Sequence, residues 1–325
     1  MSNLDLVTGG CGFIGRHLVE NLRARGRDVR VLDLDAPHEV QPGVEYLAGS
    51  VTDVEAVRQA VRGAARVFHV AGNPELWARG ADDFERANHG GAETVMRAAA
   101  EAGAGRIVLT STHAIRVRSR GEPSEADMLG PYTRAKFRAE LAARRLAAEG
   151  APVVSVAPTM PIGPCDDNLT PPMKMIADFL NRRNPAYLDF ETNLIDVREV
   201  AEGHVRAAEA GEAGRTYVLG RHNLMLSEML KRLGAISGVP MPGRRIPYWL
   251  AWTAAAVSEA SSRFTGRAPR ASLEGVRLAR ALAPVPDDPS PELGLSEWPL
   301  DRALGDAVHW LAEAGHWPEG ADRAP

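Results

Sequence analysis

The sequence of 325 residues has little cysteine, little lysine and no excess of either charge. Cys11 and Cys165 are its two cysteines, too few for a disulfide framework, so we expect a reducing, cytoplasmic compartment. Basic residues number 38 and acidic residues 42, a balance that predicts no nucleic-acid partner. The cysteines and the nine scattered histidines show no metal-ligand spacing, and we expect no metal site.

Long hydrophobic runs are missing as well. The longest, Ile246–Val257, is shorter than the roughly 20 residues that a membrane-spanning helix needs, so we expect no integral membrane segment. A strand-like segment follows Met1 at once, which argues against a secretory signal. Two interpretations of Tyr248–Val257 stay open, a helix on a membrane surface and a buried helix, and we favour the buried one.

Short β-branched runs alternate with helix-like segments in the first half of the chain. The predicted strands are Leu4–Thr8, Val29–Leu32, Val67–Ala71, Ile107–Thr110 and Val153–Val156. The predicted helices are Gly12–Arg25, Asp53–Arg62, Asp83–Glu101 and Pro131–Glu149. Strands that are apolar on both faces and alternate with helices predict an α/β fold, a doubly wound parallel sheet of the Rossmann type.

The pattern changes after Ala157. Five prolines from Pro158 to Pro172 predict an irregular loop that crosses between domains. Beyond it we predict helix Lys174–Asn181, strand Ala186–Phe190, helix Val197–Ala210, strand Thr216–Leu219 and a last helix around Leu300–Ala314. We therefore predict a first domain over residues 1–160, to which 186–220 return, and a smaller, mostly helical substrate domain over 161–325.

A glycine-rich turn follows the first strand and opens the first helix. Its glycines fit both G-x-G-x-x-G and G-x-x-G-x-x-G: Gly9, Gly10, Gly12 and Gly15. Without side chains in the way, backbone N–H groups and the helix N-terminus can approach a pyrophosphate. Asp33, after the second strand, is placed to accept from a ribose 2′-hydroxyl and to repel a 2′-phosphate, so NAD is favoured over NADP. The alternative is a turn that only packs a helix on a strand.

Tyr132 and Lys136 lie four residues apart in a helix-like segment, on one helical face. A nearby ammonium favours phenolate, which predicts a tyrosine pKa below the usual value of about 10. Such a tyrosine can exchange a proton with a hydroxyl or carbonyl oxygen. The chain has three lysines against 35 arginines, yet it has a lysine here. The alternative is an ordinary solvated helix face.

With these motifs the chain resembles the extended short-chain dehydrogenase/reductases of the NAD-dependent epimerase/dehydratase family. The segments that carry the resemblance are Thr8–Gly15, His69–Gly72, Asn88, Thr110–Thr112, Tyr132–Lys136 and Asn193–Ala201. Within the family it is most similar to the hopanoid-associated sugar epimerases, close to dihydroflavonol-4-reductase and 3β-hydroxysteroid dehydrogenase. That narrower similarity lies in Asn73–Ala78, Pro161–Pro164 and Ile176–Tyr187.

The resemblance implies a role for each matching residue. Tyr132 is the general acid/base, Lys136 holds the nicotinamide ribose and Thr112 binds the substrate oxygen. The implied cofactor contacts are Gly9, Gly12, Phe13, Ile14, Gly15, Asp33, Ser50, Val51, Ala71, Gly72, Asn88, Tyr132, Lys136 and Pro158. The expected substrate contacts are Trp77, Ser111, His113 and Met160. Asn88 is equally well an ordinary buried amide. The family also implies a homodimer formed through Asp83–Glu101 and Pro131–Glu149.

Three departures from the family pattern narrow the activity. Gly49-Ser50 stands where the family often has Gly-Asp against the adenine. His113-Ala114 replaces the acidic pair of sugar-nucleotide dehydratases, so we do not expect dehydration. The segment Ser155–Thr159 lacks the Arg-Tyr-x-Asn of sugar-nucleotide epimerases, which disfavours a nucleotide diphosphate substrate.

Large apolar side chains predict a bulky, apolar small-molecule substrate. They are Trp77, Met160, Met173, Met175, Tyr187, Phe190, Tyr248, Trp249 and Trp252. The alternative for most of them is the core of the second domain. We expect an NAD-dependent oxidoreductase that moves a hydride between nicotinamide and a secondary alcohol or ketone of a lipid, polycyclic or polyketide-like compound. Two other functions stay open: an epimerase that recycles its cofactor, and a catalytically silent NAD-binding sensor or scaffold.

Overall fold

The computed structural model of the chain describes residues 2–35, 37, 40–118 and 122–317. Its strands are β1 (Leu4–Thr8), β2 (Asp28–Asp33), β3 (Val44–Ala48), β4 (Arg66–His69), β5 (Arg106–Thr110), β6 (Val153–Pro158), β7 (Met160–Ile162), β8 (Glu191–Asp196), β9 (Thr216–Leu219) and β10 (His222–Met225). Its α-helices are α1 (Phe13–Ala24), α2 (Val54–Val61), α3 (Ala81–Phe84), α4 (Gly91–Glu101), α5 (Pro131–Ala148), α6 (Pro171–Leu180), α7 (Val197–Ala210), α8 (Leu226–Ser237), α9 (Tyr248–Thr265), α10 (Leu273–Ala281) and α11 (Leu300–Glu313). A π-helical turn, Glu85–Gly90, joins α3 to α4.

Seven parallel strands form the main sheet in the order β3-β2-β1-β4-β5-β6-β9. Its middle strands are apolar on both faces, and all six residues of β6 are buried. Such strands are stable only when both faces are covered, which is why helices alternate with them along the chain. The predicted doubly wound α/β fold of the Rossmann type is confirmed.

Two hydrophobic layers cover the sheet. On one face the core includes Val57, Met96 and Leu146, from α2, α4 and α5. On the other it includes Leu18 and Val205, from α1 and α7. Helix α7 and strand β9 have the bounds that the sequence predicts, and β9 pairs with β6 at the sheet edge.

A second unit of the chain combines a three-stranded sheet, β10-β8-β7, with α6, α8 and α11. Met173, with no exposed surface, and Tyr187, 8% exposed, belong to the hydrophobic core of this unit. For Met173 and Tyr187, the alternative stated above is therefore correct: they form the core of the second unit. The Phe13 ring, at the start of α1, packs into the same core.

Two local predictions in this region are wrong. The proline-rich stretch contains strand β7 and the start of α6, because Pro171 and Pro172 occupy the first helical turn, where a missing N–H costs nothing. The strand predicted at Ala186–Phe190 begins instead at Glu191. Tyr187 makes an isolated bridge to Arg245.

Helix α9 also differs from the favoured prediction, because Tyr248–Val257 is not a buried helix. Trp249 is 65% exposed, Trp252 39% and Val257 70%, whereas Ala251 and Ala255 are buried. The two tryptophans therefore lie on the surface instead of in a pocket. No helix among the described residues has both the length and the hydropathy to cross a membrane.

Candidate active site

The glycine-rich turn lies where the carboxyl ends of β1 and β4 meet. Gly9 has a φ of +72°, and a Cβ atom there would lie 2.6 Å from the Ala71 backbone. A Cβ atom on Gly15 would collide with the Gly9 carbonyl oxygen. Close contact between β1, α1 and the loop after β4 therefore requires glycine at both positions.

The first turn of α1 suits an anionic ligand. Gly12 is its N-cap, no side chain caps the turn, and the turn has no acidic residue. Backbone N–H groups and the helix dipole at such an end favour a pyrophosphate. Because the Phe13 ring packs into the second unit's core, its backbone amide is the group that can face a cofactor. Ile14 is half-buried beside it.

Asp33 ends β2 and braces the glycine-rich turn. Its Oδ2 accepts a hydrogen bond from the Cys11 N–H at 2.8 Å, and its Oδ1 accepts one from the Leu34 N–H at 2.8 Å. Oδ1 also accepts a longer hydrogen bond from the Asp35 N–H, at 3.4 Å, and Oδ2 is the oxygen bonded to the turn. Burial and then the Asp33 charge raise the pKa of the Cys11 thiol to about 12, so this thiol stays protonated.

The residues predicted to meet the adenine follow β3. The Ser50 hydroxyl forms a hydrogen bond with the Thr52 hydroxyl at 2.8 Å, and its oxygen accepts one from the Thr52 N–H at 3.1 Å. Val51 is buried, and its side chain leaves no room for a Cβ atom at Gly91 on α4. Ser50 therefore shapes its own turn, and Val51 packs this turn against α4.

Thr112, Tyr132 and Lys136 come together at the carboxyl end of β5. The Lys136 Nζ donates to the Thr110 carbonyl oxygen at 3.1 Å, which attaches α5 to this strand. Tyr132 is 8% exposed and lies edge-on to the Phe84 ring, with 6.0 Å between ring centroids. The Thr112 hydroxyl lies close enough to the Tyr132 phenol for hydrogen bonding between them to lower the Tyr132 pKa. The structure therefore brings the predicted catalytic residues into one buried group.

Asn88 lies in the π-helical turn and holds the loop after β4. Its Oδ1 accepts from the Asn73 N–H at 2.7 Å, and its Nδ2 donates to the Asn73 carbonyl oxygen at 2.9 Å. A Cβ atom on Gly72 would lie 2.8 Å from Asn88 Oδ1 and 3.5 Å from Lys136 Nζ. The loop thus passes close to the catalytic lysine because Gly72 has no side chain.

Burial shifts both Tyr132 and Lys136 towards their neutral forms. It raises the pKa of Tyr132 to about 12, the hydrogen bond with Thr112 lowers it, and the Glu274 carboxylate raises it. Burial also lowers the pKa of Lys136 to about 8. The direction for Tyr132 is opposite to the one predicted from sequence, because enclosure disfavours the phenolate. At pH 7 Tyr132 is a neutral phenol, and Lys136 still carries its proton for most of the time.

Ser111 and His113 are both buried beside this group. The Ser111 hydroxyl donates to Glu140 Oε2 at 2.6 Å, and Arg116 forms an ion pair with the same carboxylate at 2.5 Å. Burial and then the Arg116 charge lower the pKa of His113 to about 4, so its imidazole is neutral at pH 7. The Ser111 proton is therefore directed to Glu140.

The predicted substrate and nicotinamide contacts lie on two connections. Trp77 is half-buried in the loop after β4, where its neighbours Leu76 and Ala78 pack against the Phe84–Tyr132 pair. Pro158 ends β6 and is buried, whereas Met160, the first residue of β7, is half-buried. Trp77, Pro158 and Met160 therefore lie at the ends of β4 and β6 or on the connections that follow them.

Sequence reasoning misses Glu274, which lies on α10 and is 3% exposed. Its carboxylate accepts from the Thr133 N–H at 2.8 Å, the Thr133 hydroxyl at 2.7 Å and the Tyr132 N–H at 3.2 Å. It caps the catalytic helix, whose Gly130 has no side chain to do so and leaves space for it. An uncapped helix start is the available signal, but the sequence does not say which distant acid caps it.

Comparisons with known proteins show which family the chain resembles. The sequence profile of the NAD dependent epimerase/dehydratase family matches residues 6–220. A putative dihydroflavonol 4-reductase of Synechocystis is 35% identical over 97% of this chain and 96% of its own length. The 4-hydroxy-2-methyl-3-oxo-4-farnesyl-3,4-dihydroquinoline-1-oxide ketoreductase of Stigmatella aurantiaca is 30% identical over 95% of this chain and 96% of its own.

A solved structure extends the likeness to three dimensions. The crystal structure of gox2253 has a TM-score of 0.81 and 32% identity, and the match covers 97% of this chain and 99% of that one. The family profile covers the seven strands of the main sheet and also β7 and β8 of the second sheet. The resemblance expected from the sequence motifs is confirmed: the chain belongs to the NAD-dependent epimerase/dehydratase family of enzymes.

Proposed function

We propose that this enzyme transfers a hydride between NAD(H) and a secondary alcohol or ketone carbon of a bulky, largely apolar substrate. The observation that carries the proposal is the buried Tyr132 phenol, which lies beside Thr112 and packs against Phe84. A neutral phenol is a general acid, which suits reduction of a ketone. Residues 1–160 would hold the cofactor, and residues 161–325 most of the substrate.

The cofactor, when bound, supplies or accepts the hydride at nicotinamide C4. In the reductive direction Tyr132 donates its phenolic proton to the carbonyl oxygen, so that the ketone gains one hydride and one proton and becomes an alcohol. Thr112 orients that oxygen by hydrogen bonding. Lys136 supplies a positive charge that stabilises the phenolate as it forms and binds the ribose hydroxyls.

The chain's own residues would bind the cofactor in two places. The amides at the start of α1, from Phe13, Ile14 and Gly15, would face the pyrophosphate. Asp33 would accept from the adenosine ribose, and its charge would repel the 2′-phosphate of NADP. Ala71, Gly72, Asn88 and Pro158 would border the nicotinamide, and Ser50 and Val51 the adenine.

An apolar substrate is supported by two observations. Trp77 and Met160, on the connections after β4 and β6, are both half-buried, and β6 has no polar side chain after Ser155. The Stigmatella relative is named for reduction of a farnesyl-bearing ring ketone. Polycyclic or prenylated ketones are therefore the substrate class that we favour.

We also propose a homodimer, formed through the face of α4 and α5. Leu141 on α5 is 45% exposed, and Arg145 on α5 forms an ion pair with Glu93 on α4 at 2.7 Å, which holds the two helices in one surface. Light scattering at micromolar protein should give twice the chain mass of 34.9 kDa. A monomer under these conditions would contradict the dimer.

The test of function offers the enzyme NADH together with a panel of polycyclic, prenylated and sugar-nucleotide ketones. The loss of NADH absorbance measures its oxidation. Net consumption with the apolar ketones supports the proposal. Product formation without net consumption would indicate an epimerase that recycles its cofactor. NADH binding without any product would indicate a sensor or scaffold. Tyr132→Phe, which keeps the ring, is the matched control for each outcome.

A further inference from the structure

Helix α9 presents an uncharged face to solvent. Four large apolar side chains are exposed on it, which we call the α9 face: Trp249, Leu250, Trp252 and Val257. From Tyr248 to Ser262 the only charged residue is Glu259, and its Oε1 accepts a hydrogen bond from the Leu273 N–H at 2.6 Å. An exposed helix face usually carries charged residues. A contiguous apolar surface on this scale marks a site of interaction.

The opposite side of α9 attaches it to the rest of the protein. Ala251 and Ala255 are buried, and the Arg280 guanidinium lies 5.1 Å from the centroid of the Tyr248 ring. Arg79 Nη2, in the loop after β4, donates to the Gly266 carbonyl oxygen at 2.8 Å, just beyond the end of α9. The helix is therefore held with its apolar side chains outward.

The segment that contains α9 is rich in arginine. Residues 244–280 include seven arginines and two glutamates, without lysine or aspartate, in a chain whose net charge is −4. Both glutamates are directed inward, Glu259 to the Leu273 amide and Glu274 to the catalytic helix. Arg267 and Arg270, beyond the end of α9, are exposed. The local charge is therefore opposite to that of the whole chain.

An anionic lipid surface matches both properties. Tryptophan is enriched at the level of the lipid headgroups, where its ring is in apolar surroundings and its N–H in water. Arginines around an apolar helix face are attracted to acidic headgroups. A spanning arrangement does not fit, because the described helices include none that could cross the bilayer.

We propose that the α9 face lies on the surface of an anionic phospholipid bilayer, with Trp249, Trp252 and Val257 in the interface and the flanking arginines among the headgroups. The proposal does not depend on which ketone the enzyme reduces. The protein would then be a peripheral membrane protein that is attached to the bilayer through helix α9. Because α10 packs on α9 and its Glu274 caps α5, α10 connects the docking helix to the helix that carries Tyr132 and Lys136.

The test is sedimentation of the full-length protein with vesicles of phosphatidylcholine, alone or with about 30% phosphatidylglycerol. We expect binding to the anionic vesicles and at least about a fivefold loss of binding when salt is raised from about 0.1 to 0.5 M. The double variant Trp249→Ser/Trp252→Ser should bind at least about tenfold more weakly, and so should Arg267→Glu/Arg270→Glu.

Matched control variants make the same kinds of substitution at positions outside the α9 face. Ile236→Ser removes an exposed apolar side chain of α8, and Arg62→Glu reverses an exposed charge at the end of α2. Both should bind vesicles like the unchanged protein. Unchanged thermal unfolding and NADH binding would show that the double variants are folded. A failure to bind vesicles could then be distinguished from a failure of the proposed reaction.

Four results would overturn the proposal. The unchanged protein does not sediment with anionic vesicles, or it binds neutral vesicles equally well. Alternatively, the two α9 double variants bind like the controls. Finally, the tryptophan double variant alters self-association without any vesicle binding, which would make the α9 face a contact between protein chains.

Discussion

Glu274 caps helix α5 through Thr133. One carboxylate oxygen, Oε1, accepts both the Thr133 N–H, at 2.8 Å, and the Thr133 hydroxyl, at 2.7 Å. The neighbouring residue is Tyr132, whose N–H donates to the other carboxylate oxygen. A buried negative charge at a helix N-terminus is stabilised by the helix dipole and by these donors. It also opposes ionisation of the phenol beside it.

Removing that charge should change the enzyme in two ways. Glu274→Gln keeps the side-chain volume but weakens the cap, so we expect a loss of about 1–3 kcal/mol in the free energy of unfolding. The Tyr132 pKa should fall, because a nearby negative charge no longer opposes the phenolate. Ketone reduction needs the protonated phenol, so its loss at high pH should set in at a lower pH than in the unchanged enzyme.

The pH profile of the reduction rate tests this positioning role. A variant that loses stability and keeps the unchanged pH profile would show that Glu274 acts on the fold alone. Glu259→Gln is the matched control. Its carboxylate, on α9, accepts a hydrogen bond from the Leu273 N–H at the start of α10 and not from Tyr132 or Thr133. Its pH profile should stay as in the unchanged enzyme.

Tyr132→Phe should abolish most of the proton transfer. The ring that packs on Phe84 is retained, so folding and NADH binding should be preserved while the turnover number falls by about 10²–10⁴-fold. Stopped-flow absorbance and NADH fluorescence measure the two properties separately. Turnover within about threefold of the unchanged enzyme would remove Tyr132 from the proposed chemistry.

Lys136 should make stability depend on pH. Its pKa is lowered from 10.5 to about 8 by burial, so between these values the unfolded chain holds a proton that the folded chain has lost. The unfolded state then binds more protons, and its free energy relative to the folded state rises with pH. We expect a gain of up to about 3 kcal/mol from this residue as pH increases from 8 to 10.5.

The raised pKa of Tyr132, about 12, makes the free energy of unfolding fall as pH rises, but only above the ordinary tyrosine value of 10. Cys11 acts in the same sense as Tyr132 above its ordinary value of 9.0, so the lysine is identified by comparing the urea unfolding of the unchanged protein with that of Lys136→Met at pH 7, 8 and 9.5. Lys136→Met should flatten the slope between pH 8 and 9.5. An equally steep slope in this variant would assign the pH dependence to other groups.

Asp33→Asn should relax the choice of cofactor. The amide oxygen can still accept from the Cys11 N–H, so the glycine-rich turn should stay in place while the charge that repels a 2′-phosphate is lost. We expect the preference for NADH over NADPH, measured as the ratio of kcat/KM, to fall about tenfold or more. Asp35→Asn, an exposed neighbour, is the control and should leave the ratio unchanged. An unaltered ratio in Asp33→Asn would contradict the ribose contact.

The sequence by itself determined the features that depend on near neighbours along the chain. Alternating strands and helices predicted the doubly wound sheet, because the periodicity of apolar residues reflects which faces are buried. The glycine-rich turn and the Tyr132–Lys136 spacing predicted where a dinucleotide and a proton donor belong. Each of these follows from backbone geometry within a few residues, and the bounds of β1, α7 and β9 match.

Only the tertiary structure decided the rest. It places Glu274 of α10 on a helix that begins more than 140 residues earlier, and no local pattern pairs those two segments. It encloses Tyr132 so completely that its pKa rises instead of falling, since desolvation depends on every element packed around the ring. It also leaves Trp249 in solvent and Met173 in the core, although both are large apolar residues of helices. Composition alone does not distinguish these two positions, because which face of a helix is covered depends on what folds against it.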